Sequence, residues 1–259
     1  RPTRLRTGTM GNRRDHLVTA VVDISRRLAA NGWVANHDGN VTVRFDDTIL
    51  ATPTAVSKSE LVPELVLTLD SQGQKLQGIG KPFSEIQLHL AAYALRPDIQ
   101  AVVHAHPPLA TARGLCGSEL RVFLPEAVIS LGDTIPVTGY AMPGTPECVS
   151  SLQEAWSCSD VVMVPGNGAW SVGRDLMEAY LRMELLEHLL RIEYYTRSMG
   201  NMMEIPVEDR CKLLEKRSAL GLGPRTDSPM NGQASDPLND SIRSLIAEEL
   251  KKILKGNTD

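Results

Sequence analysis

Residues 84–108 read SEIQLHLAAYALRPDIQAVVHAHPP, and this stretch decides the fold. Its first part has apolar residues at helical spacing, with Ser84 placed to cap a helix and Pro97 beyond its end, which predicts a helix over residues 84–95. Its second part, AVVHAH, is a run of β-forming residues stopped by two prolines, which predicts a strand over residues 101–106. The sequence therefore places one helix directly before a strand that ends in two histidines.

The two histidines of this strand are His104 and His106, which are separated by one residue. Side chains on a strand alternate between its two faces, so both imidazoles lie on the same face. Two imidazoles in this arrangement can bind one divalent metal, although unrelated polar residues at a strand end give the same pattern. Glu85, in the first turn of the preceding helix, either stabilises the helix dipole or is a third functional group.

The flanking sequence surrounds this unit with helices and hairpins. Apolar residues at helical spacing predict helices over residues 15–31, 109–115, 146–156 and 175–199. Alternating or short apolar runs predict strands over residues 40–45, 48–53, 65–70, 75–78, 134–137 and 161–165, of which the first four form two hairpins. Helices on a mostly antiparallel sheet predict a layered α/β domain.

The two ends of the chain differ in composition from the region between them. Residues 1–13 are basic and are expected to be a disordered tail, and residues 14–220 form the predicted domain. Residues 221–240 are rich in Gly, Pro, Ser, Asn and Asp, which predicts a flexible linker. Residues 241–255 then carry a stripe of aliphatic side chains that predicts a short amphipathic helix.

The composition argues against several classes of function. The 259-residue chain has a formal net charge of −4, which gives no electrostatic reason to expect a nucleic acid or an anionic membrane as a partner. No apolar run approaches the roughly 18–20 residues of a membrane span, and no secretory-signal pattern follows the basic start. The four cysteines are scattered, which predicts reduced thiols. We therefore expect a cytoplasmic protein.

Four stretches of the chain together resemble the class II aldolase/adducin family. They are GNVTVR (39–44), TPTAVSK (52–58), the opening stretch and EAYLRMELLEHLLRI (178–192). The resemblance implies an αβα layered domain with a central, mostly antiparallel sheet, often assembled as a homotetramer with its site at a subunit interface. It also implies a divalent metal held by three histidines, and a glutamate that acts as catalytic acid and base.

Residue by residue, the resemblance assigns Glu85 as the catalytic acid/base and His104 and His106 as metal ligands. Glu85 stands nineteen residues before His104, as in the family. Asn167 occupies the position of the family's third histidine, and His89, one turn after Glu85, is expected beside the site and not in it. Glu85 itself is therefore the expected third ligand. Two histidines and one carboxylate are typical of non-haem Fe(II) oxygenases, so Fe(II) is favoured over Zn(II) or Mn(II).

The expected substrate pocket departs from the sugar-phosphate aldolases of the family. Phe83–Ser84 replaces a Ser-Ser pair, and Thr54–Ala55 replaces a Thr-Gly pair. Phenylalanine cannot donate to a phosphate oxygen, and alanine resists the positive φ that glycine tolerates. Trp170 is expected to add a second aromatic face, so the pocket suits an aromatic acid. The residues expected to contact the substrate are Phe83, Ser84, Asn40, Thr54, His37, Asn167 and Trp170.

Within the family, the chain looks most like the aromatic-acid enzymes of aminocoumarin antibiotic biosynthesis. That resemblance implies Fe(II)- and O₂-dependent oxidative decarboxylation of a prenylated 4-hydroxyphenylpyruvate or mandelate to the benzoate. It agrees with the lack of a tyrosine at residues 124–126, where the aldolases have a proton donor. The alternatives are a Zn(II) or Mn(II) aldolase or non-oxidative decarboxylase, in which Glu85 moves protons, and a non-catalytic, adducin-like assembly domain.

Overall fold

The computed structural model describes residues 7–142 and 145–224 of the chain. Its helices are α1 (Thr7–Ala30), α2 (Ile86–Leu95), α3 (Pro108–Leu115), α4 (Pro125–Leu131), α5 (Pro146–Cys158), α6 (Leu176–Met199) and α7 (Val207–Ala219). Its strands are β1 (Asn40–Phe45), β2 (Thr48–Ala51), β3 (Leu67–Leu69), β4 (Lys75–Gln77), β5 (Ala101–Ala105), β6 (Leu120–Arg121), β7 (Thr134–Ile135), β8 (Val161–Met163) and β9 (Ala169–Gly173).

Seven of these strands form one sheet in the order β4-β3-β2-β1-β5-β9-β8, and every neighbouring pair is antiparallel. The pairs β1–β2 and β3–β4 are the two predicted hairpins. The sequence pattern did not predict β9, which lies inside the sheet between β5 and β8. All five residues of β9 are buried, so the strand lacks the alternation of apolar and polar residues that marks a half-exposed strand.

Helices cover both faces of the sheet, which gives three layers. α1 and α6 pack on one face, where the apolar core includes Val41, Val103 and Leu186. α2 and α5 pack against each other on the opposite face, whose core includes Val102 and Trp170. The expected αβα layered α/β fold with a central antiparallel sheet is therefore confirmed.

The first helix begins earlier than the sequence predicted. α1 starts at Thr7, so the helix includes residues 7–13, which the sequence analysis had placed in a basic tail. Two arginines near the start of the helix bind the hairpins beneath it. Arg13 forms an ion pair with Asp46 at 2.7 Å, and Arg14 donates to the hydroxyl of Thr68 at 3.1 Å. These tertiary contacts fix the helix at Arg13 and Arg14, which the local pattern of apolar residues did not reveal.

The start of α2 also differs from the prediction. The helix begins at Ile86, and Glu85 occupies the cap position without a side-chain cap hydrogen bond. Ser84 is therefore not the cap, and it remains exposed.

The C-terminal predictions concern residues that are mostly not described. α7 ends at Ala219, and only residues 221–224 of the expected linker are described. The predicted amphipathic helix over residues 241–255 lies outside the described residues. Within the described ranges, no helix is both long and apolar enough to cross a membrane. All four cysteines are described, and none forms a disulfide.

Candidate metal centre and active site

The candidate site forms where β1, β5 and β9 lie side by side. Cross-strand pairing aligns Asn40 with His104, and His104 with Trp170, so these three side chains form one row across the sheet. Glu85, at the start of α2, reaches this row and hydrogen-bonds to Asn40. The sheet register thus unites residues that are far apart in the sequence.

Two glycines let neighbouring turns approach the histidine strand closely. Gly39 has a φ of +72°, and a Cβ there would lie 2.5 Å from Val34 Cγ1 and 3.0 Å from the carbonyl oxygen of His104. Gly168 has a φ of +62°, and a Cβ there would collide with the ring of His106. Both positions therefore require glycine for conformational and for steric reasons.

The two imidazoles approach each other through their Nε2 atoms. These atoms of His104 and His106 are 3.3 Å apart, and Glu85 Oε2 lies 3.5 Å from His104 Nε2. The Nδ1–H of His104 donates to the carbonyl of Ala169 at 3.1 Å, which leaves its Nε2 lone pair directed at His106 and Glu85. The structure thus brings the three predicted ligands together.

The donor atoms of these three side chains are of types that bind a divalent metal. Among the described residues, no group of three or more His, Cys, Asp or Glu side chains is arranged so that it could hold a metal ion. Imidazole nitrogen and carboxylate oxygen are nevertheless ligands that zinc, iron and manganese share. His104, His106 and Glu85 therefore fit a metal by donor type and by their proximity to one another, at 3.3 Å between the two imidazoles and 3.5 Å from His104 to Glu85.

Glu85 is held by two amide side chains. Asn167 Nδ2 donates to Oε1 at 2.7 Å, and Asn40 Nδ2 donates to Oε2 at 3.0 Å. Burial raises the pKa of Glu85, but the nearby His104 and the two amide donors outweigh burial and bring the pKa below its usual value. Glu85 is therefore an ionised carboxylate with a defined orientation, which suits either a metal ligand or a base.

A cavity of about 250 Å³ opens beside these residues. It is lined by His37, Asp38, Gly39, Asn40, Pro53, Thr54, Phe83, Ser84, Glu85, His104, His106 and Asn167. Six of the seven predicted substrate-binding residues are in this set. No described lining residue is an arginine or a lysine, so the cavity offers a phosphate none of its usual cationic partners. Larger surface grooves exist, up to about 620 Å³, but they contain neither Glu85 nor its two histidines.

Trp170 is the predicted substrate-binding residue that does not line the cavity. It is fully buried and stacks on the imidazole of His104, with ring centroids 4.1 Å apart and an interplanar angle of 17°. The expectation that it offers an aromatic face to a substrate is corrected, because the sheet register places its indole against the histidine. Phe83 is the aromatic side chain that does line the cavity.

A line of hydrogen-bonded side chains runs inward from Glu85 between α2 and β1. Asn40 Oδ1 lies 2.5 Å from His89 Nε2, His89 Nδ1 lies 2.7 Å from Thr42 Oγ1, and Thr42 Oγ1 lies 2.8 Å from the hydroxyl of Tyr93. Burial, with a smaller contribution from the positive charge that His104 can carry, holds the pKa of His89 well below its usual value. His89 is therefore a neutral imidazole beside the site.

The sequence analysis placed His89 beside the site but did not identify Thr42 or Tyr93. A signal was present in the spacing. Glu85 at the cap of α2 and His89 and Tyr93 within it follow one another every four residues, and Asn40 and Thr42 lie two residues apart on β1. Each spacing keeps side chains on one face of its element.

The turn that carries His37 and Asp38 is supported from beneath by Lys58. The ammonium group of Lys58 donates to the carbonyls of His37 and Val56, both at 3.2 Å. Burial lowers the pKa of Lys58 to about 8, and Asp38 only partly opposes this. Asp38 also lies 3.8 Å from Nδ1 of His106, so this turn contacts the candidate ligands from outside the sheet.

Comparison with known proteins places the chain in a family. Residues 19–194 match the Class II Aldolase and Adducin N-terminal domain, so the chain belongs to the class II aldolase/adducin family. It is 32% identical over 180 residues to the L-fuculose phosphate aldolase of Methanococcus vannielii, which covers 68% of this chain and 95% of that protein. It is 29% identical over 203 residues to the 3-oxo-tetronate 4-phosphate decarboxylase of Haemophilus influenzae, with 76% and 95% covered.

Solved structures agree with this family assignment. L-fuculose-1-phosphate aldolase from Thermus thermophilus superimposes with a TM-score of 0.64 at 29% identity, covering 72% of this chain and 98% of that one. YgbL from Escherichia coli superimposes with a TM-score of 0.70 at 26% identity, covering 78% and 99%. None of these four relatives is named as an oxidative decarboxylase of aromatic acids.

Proposed function

We propose that this chain is a metal-dependent enzyme that cleaves a C–C bond next to the oxo or hydroxy carbon of a 2-oxo or 2-hydroxy acid. The observation that carries the proposal is the convergence of Glu85, His104 and His106 at one cavity, in a family whose members include aldolases and a decarboxylase. A divalent metal bound there would polarise the substrate's oxygen and stabilise the negative charge that develops during cleavage. A purely structural assembly domain would not need this arrangement.

For the substrate, we propose an unphosphorylated aromatic acid, such as a prenylated 4-hydroxyphenylpyruvate or mandelate from an antibiotic pathway. Two features support this choice: Phe83 on the cavity wall, and the lack of a lysine or arginine among the described lining residues. The amide nitrogens of Asn40 and Asn167 already donate to Glu85. Binding of the acid group therefore falls mainly to the exposed side chains of Ser84, Thr54 and His37.

For the metal, the finer proposal is Fe(II), with O₂ as co-substrate of an oxidative decarboxylation. Its support is a donor set of two histidines and one carboxylate. Asn167, at the position of the family's third histidine, donates its amide nitrogen to Glu85. A Zn(II) or Mn(II) aldolase or non-oxidative decarboxylase is the second candidate, and the names of the curated relatives favour it. Glu85 acts as a ligand in the first reaction and as the proton-transfer group in the second.

The test is anaerobic metal analysis of the purified protein, followed by two assays. One measures CO₂ release and O₂ uptake with an aromatic 2-oxo acid, and the other measures cleavage of a ketose 1-phosphate. Iron together with coupled O₂ uptake supports the oxidative reaction. Zinc or manganese with O₂-independent cleavage supports the second candidate. A protein that binds no divalent metal contradicts both.

Site variants sharpen this test. His104→Ala should abolish metal binding, and unchanged metal content in that variant would contradict the proposed centre. Asn167→His adds a third imidazole beside the other two, and we expect it to raise the zinc content relative to iron. Phe83→Ser should weaken binding of an aromatic acid by about 1–3 kcal/mol if the ring packs against it.

The proposal extends to the oligomeric state of the protein and to its location in the cell. Members of this family are typically oligomeric, and we propose a homotetramer in the cytoplasm, which sedimentation analysis and cell fractionation would test.

A further inference from the structure

We infer that His89 and Thr42 are positioning residues, which orient Glu85 through a hydrogen-bond chain of fixed direction: Tyr93 to Thr42 to His89, and His89 to Asn40 to Glu85. The function of Glu85 as ligand or base rests on the proposed function, whereas the direction of the chain does not. Thr42, His89 and Tyr93 do not line the cavity, so they act through Asn40.

The chain exists because a helix and a strand have matching repeats. Four residues of α-helix rise about 6.0 Å, and two residues of strand rise about 6.6 Å. Glu85, His89 and Tyr93 on α2 can therefore alternate with Asn40 and Thr42 on β1. Each contact between these five residues is 3.0 Å or shorter. The helix and the strand run in the same direction, since the order of contacts rises along both.

The two amide contacts of Glu85 set the direction of every hydrogen bond behind it, because its Oε1 accepts from Asn167 and its Oε2 accepts from Asn40. Asn40 thus presents its amide nitrogen to Glu85, and its amide oxygen faces His89. His89 then carries its proton on Nε2, and its Nδ1 is an acceptor. Thr42 must therefore donate its single hydroxyl proton to His89 Nδ1.

The last member of the chain follows by the same reasoning. Because the Thr42 proton is already used, Tyr93 donates its hydroxyl proton to Thr42 Oγ1 at 2.8 Å. The other acceptor near Tyr93, the carbonyl of Gln100, is farther away at 3.5 Å. Thr42 is thus an acceptor from Tyr93 and a donor to His89.

The surroundings of His89 make the alternative arrangement unfavourable. Its ring is fully buried and lies edge-on to Phe83 and Trp170, with centroid distances of 5.0 and 5.2 Å. Aromatic rings cannot replace a lost hydrogen bond, so a reversed tautomer would leave Asn40 Oδ1 without a donor in a dry environment. The tautomer of His89 therefore fixes the amide of Asn40, and Asn40 together with Asn167 holds the carboxylate 3.5 Å from His104.

The first measurement is the ring-nitrogen NMR spectrum of His89 in the metal-free protein, assigned by comparison with a His89→Gln variant. We expect the chemical shift of a protonated nitrogen at Nε2 and that of an unprotonated, hydrogen-bonded nitrogen at Nδ1. A proton on Nδ1 would overturn the inference. This measurement does not depend on the metal or on any catalytic activity.

The second measurement compares Co²⁺ affinity in two variants that each delete one buried hydroxyl of the chain. Thr42→Val removes the donor to His89, so the Nδ1 signal should move toward that of an unbonded nitrogen and Co²⁺ affinity should fall by about 10-fold. Tyr93→Phe is the matched control. It leaves the hydrogen bond from the Thr42 hydroxyl to His89 Nδ1 in place, so the nitrogen signals and the Co²⁺ affinity should stay close to those of the wild type.

Thr42→Ser keeps the hydroxyl and should restore both readouts, which separates lost positioning from a general packing defect. Equal losses in Thr42→Val and Tyr93→Phe, or no loss in Thr42→Val, would overturn the inference. If the wild-type protein binds no Co²⁺, the proposed metal centre fails, and the His89 spectra of the three variants still decide whether the chain has this direction.

Discussion

Two carboxylates of this domain, Asp160 and Glu85, have opposite kinds of partners. Asp160 is fully buried, and its oxygens lie 2.7–3.1 Å from the guanidinium groups of Arg96, Arg182 and Arg217. Glu85 is partly exposed to a cavity and receives its hydrogen bonds from two neutral amides. One carboxylate is neutralised by cations, and the other keeps its negative charge.

The difference separates a structural carboxylate from a functional one. Asp160 precedes β8, and its three arginines come from the end of α2, from α6 and from α7, so the cluster joins four elements of the fold. The negative charge of Asp160 is neutralised by these arginines inside the protein. Neutral donors orient Glu85 without cancelling its charge, so its carboxylate stays available to a cation bound between it and the histidines.

The largest effect on stability is expected when the Asp160 cluster is broken. Asp160→Asn leaves three buried arginines without their shared carboxylate, so the free energy of unfolding should fall by about 3–5 kcal/mol, measured by urea denaturation. Asp98→Asn is the control, because Asp98 pairs with Arg96 but is 20% exposed and should cost much less. A loss below about 1 kcal/mol in Asp160→Asn would contradict the structural role assigned to this residue.

Replacing Glu85 by its amide should affect metal binding strongly and stability only weakly. Glu85→Gln removes no partner of a buried cation, so the free energy of unfolding should change by only about 1–2 kcal/mol. Co²⁺ affinity, measured by titration, should fall by more than the roughly 10–100-fold that loss of a hydrogen-bond partner of a metal ligand costs. A Glu85→Gln protein that is as unstable as Asp160→Asn would erase the distinction between the two carboxylates.

Lys58 is a buried cation, and it differs from the arginines around Asp160. Among the described residues, no carboxylate lies within ion-pair distance of its ammonium group, which donates to two backbone carbonyls. Its pKa falls from 10.5 to about 8 on folding. Between these values the unfolded chain binds more protons than the folded one, so the free energy of unfolding should rise as the pH increases through this window.

Lys58→Met should remove that rise. The check is urea denaturation of both proteins at about pH 8 and at about pH 10. Equal pH dependence in the two proteins would show that Lys58 keeps its charge in the folded state.

The smallest effect concerns Ala55, the residue that follows Thr54 of the cavity wall. Ala55 adopts the left-handed backbone conformation, with a φ of +58°, so the turn persists without the expected glycine at the cost of strain. Ala55→Gly should relieve this strain and raise the free energy of unfolding by about 0.5–1 kcal/mol. Ala112→Gly, at an exposed position inside α3, should lower it by about 1 kcal/mol. A loss of stability in both variants would contradict strain at Ala55.

Local patterns revealed much of the fold and two central residues of the site. The alternation over β1 and β2 predicted their hairpin, and the spacing of His104 and His106 predicted imidazoles on one face, because both depend only on the geometry of a single strand. The family resemblance added Glu85, which the structure places 3.5 Å from His104. The pattern along the chain could not show β9, because this strand is buried on both faces and has no alternation, and Ser171 interrupts the kind of continuous apolar run that revealed β8.

The sequence by itself determined which residues could bind a metal and on which side of their elements they lie. The tertiary structure alone decided their partners. It turned Trp170 from a substrate contact into a support for His104, made Thr42 and Tyr93 the inner end of a chain that starts at Glu85, and gathered three arginines around Asp160. The physical reason is that periodicity describes one element at a time, whereas these contacts depend on strand register and on the packing of helices against the sheet.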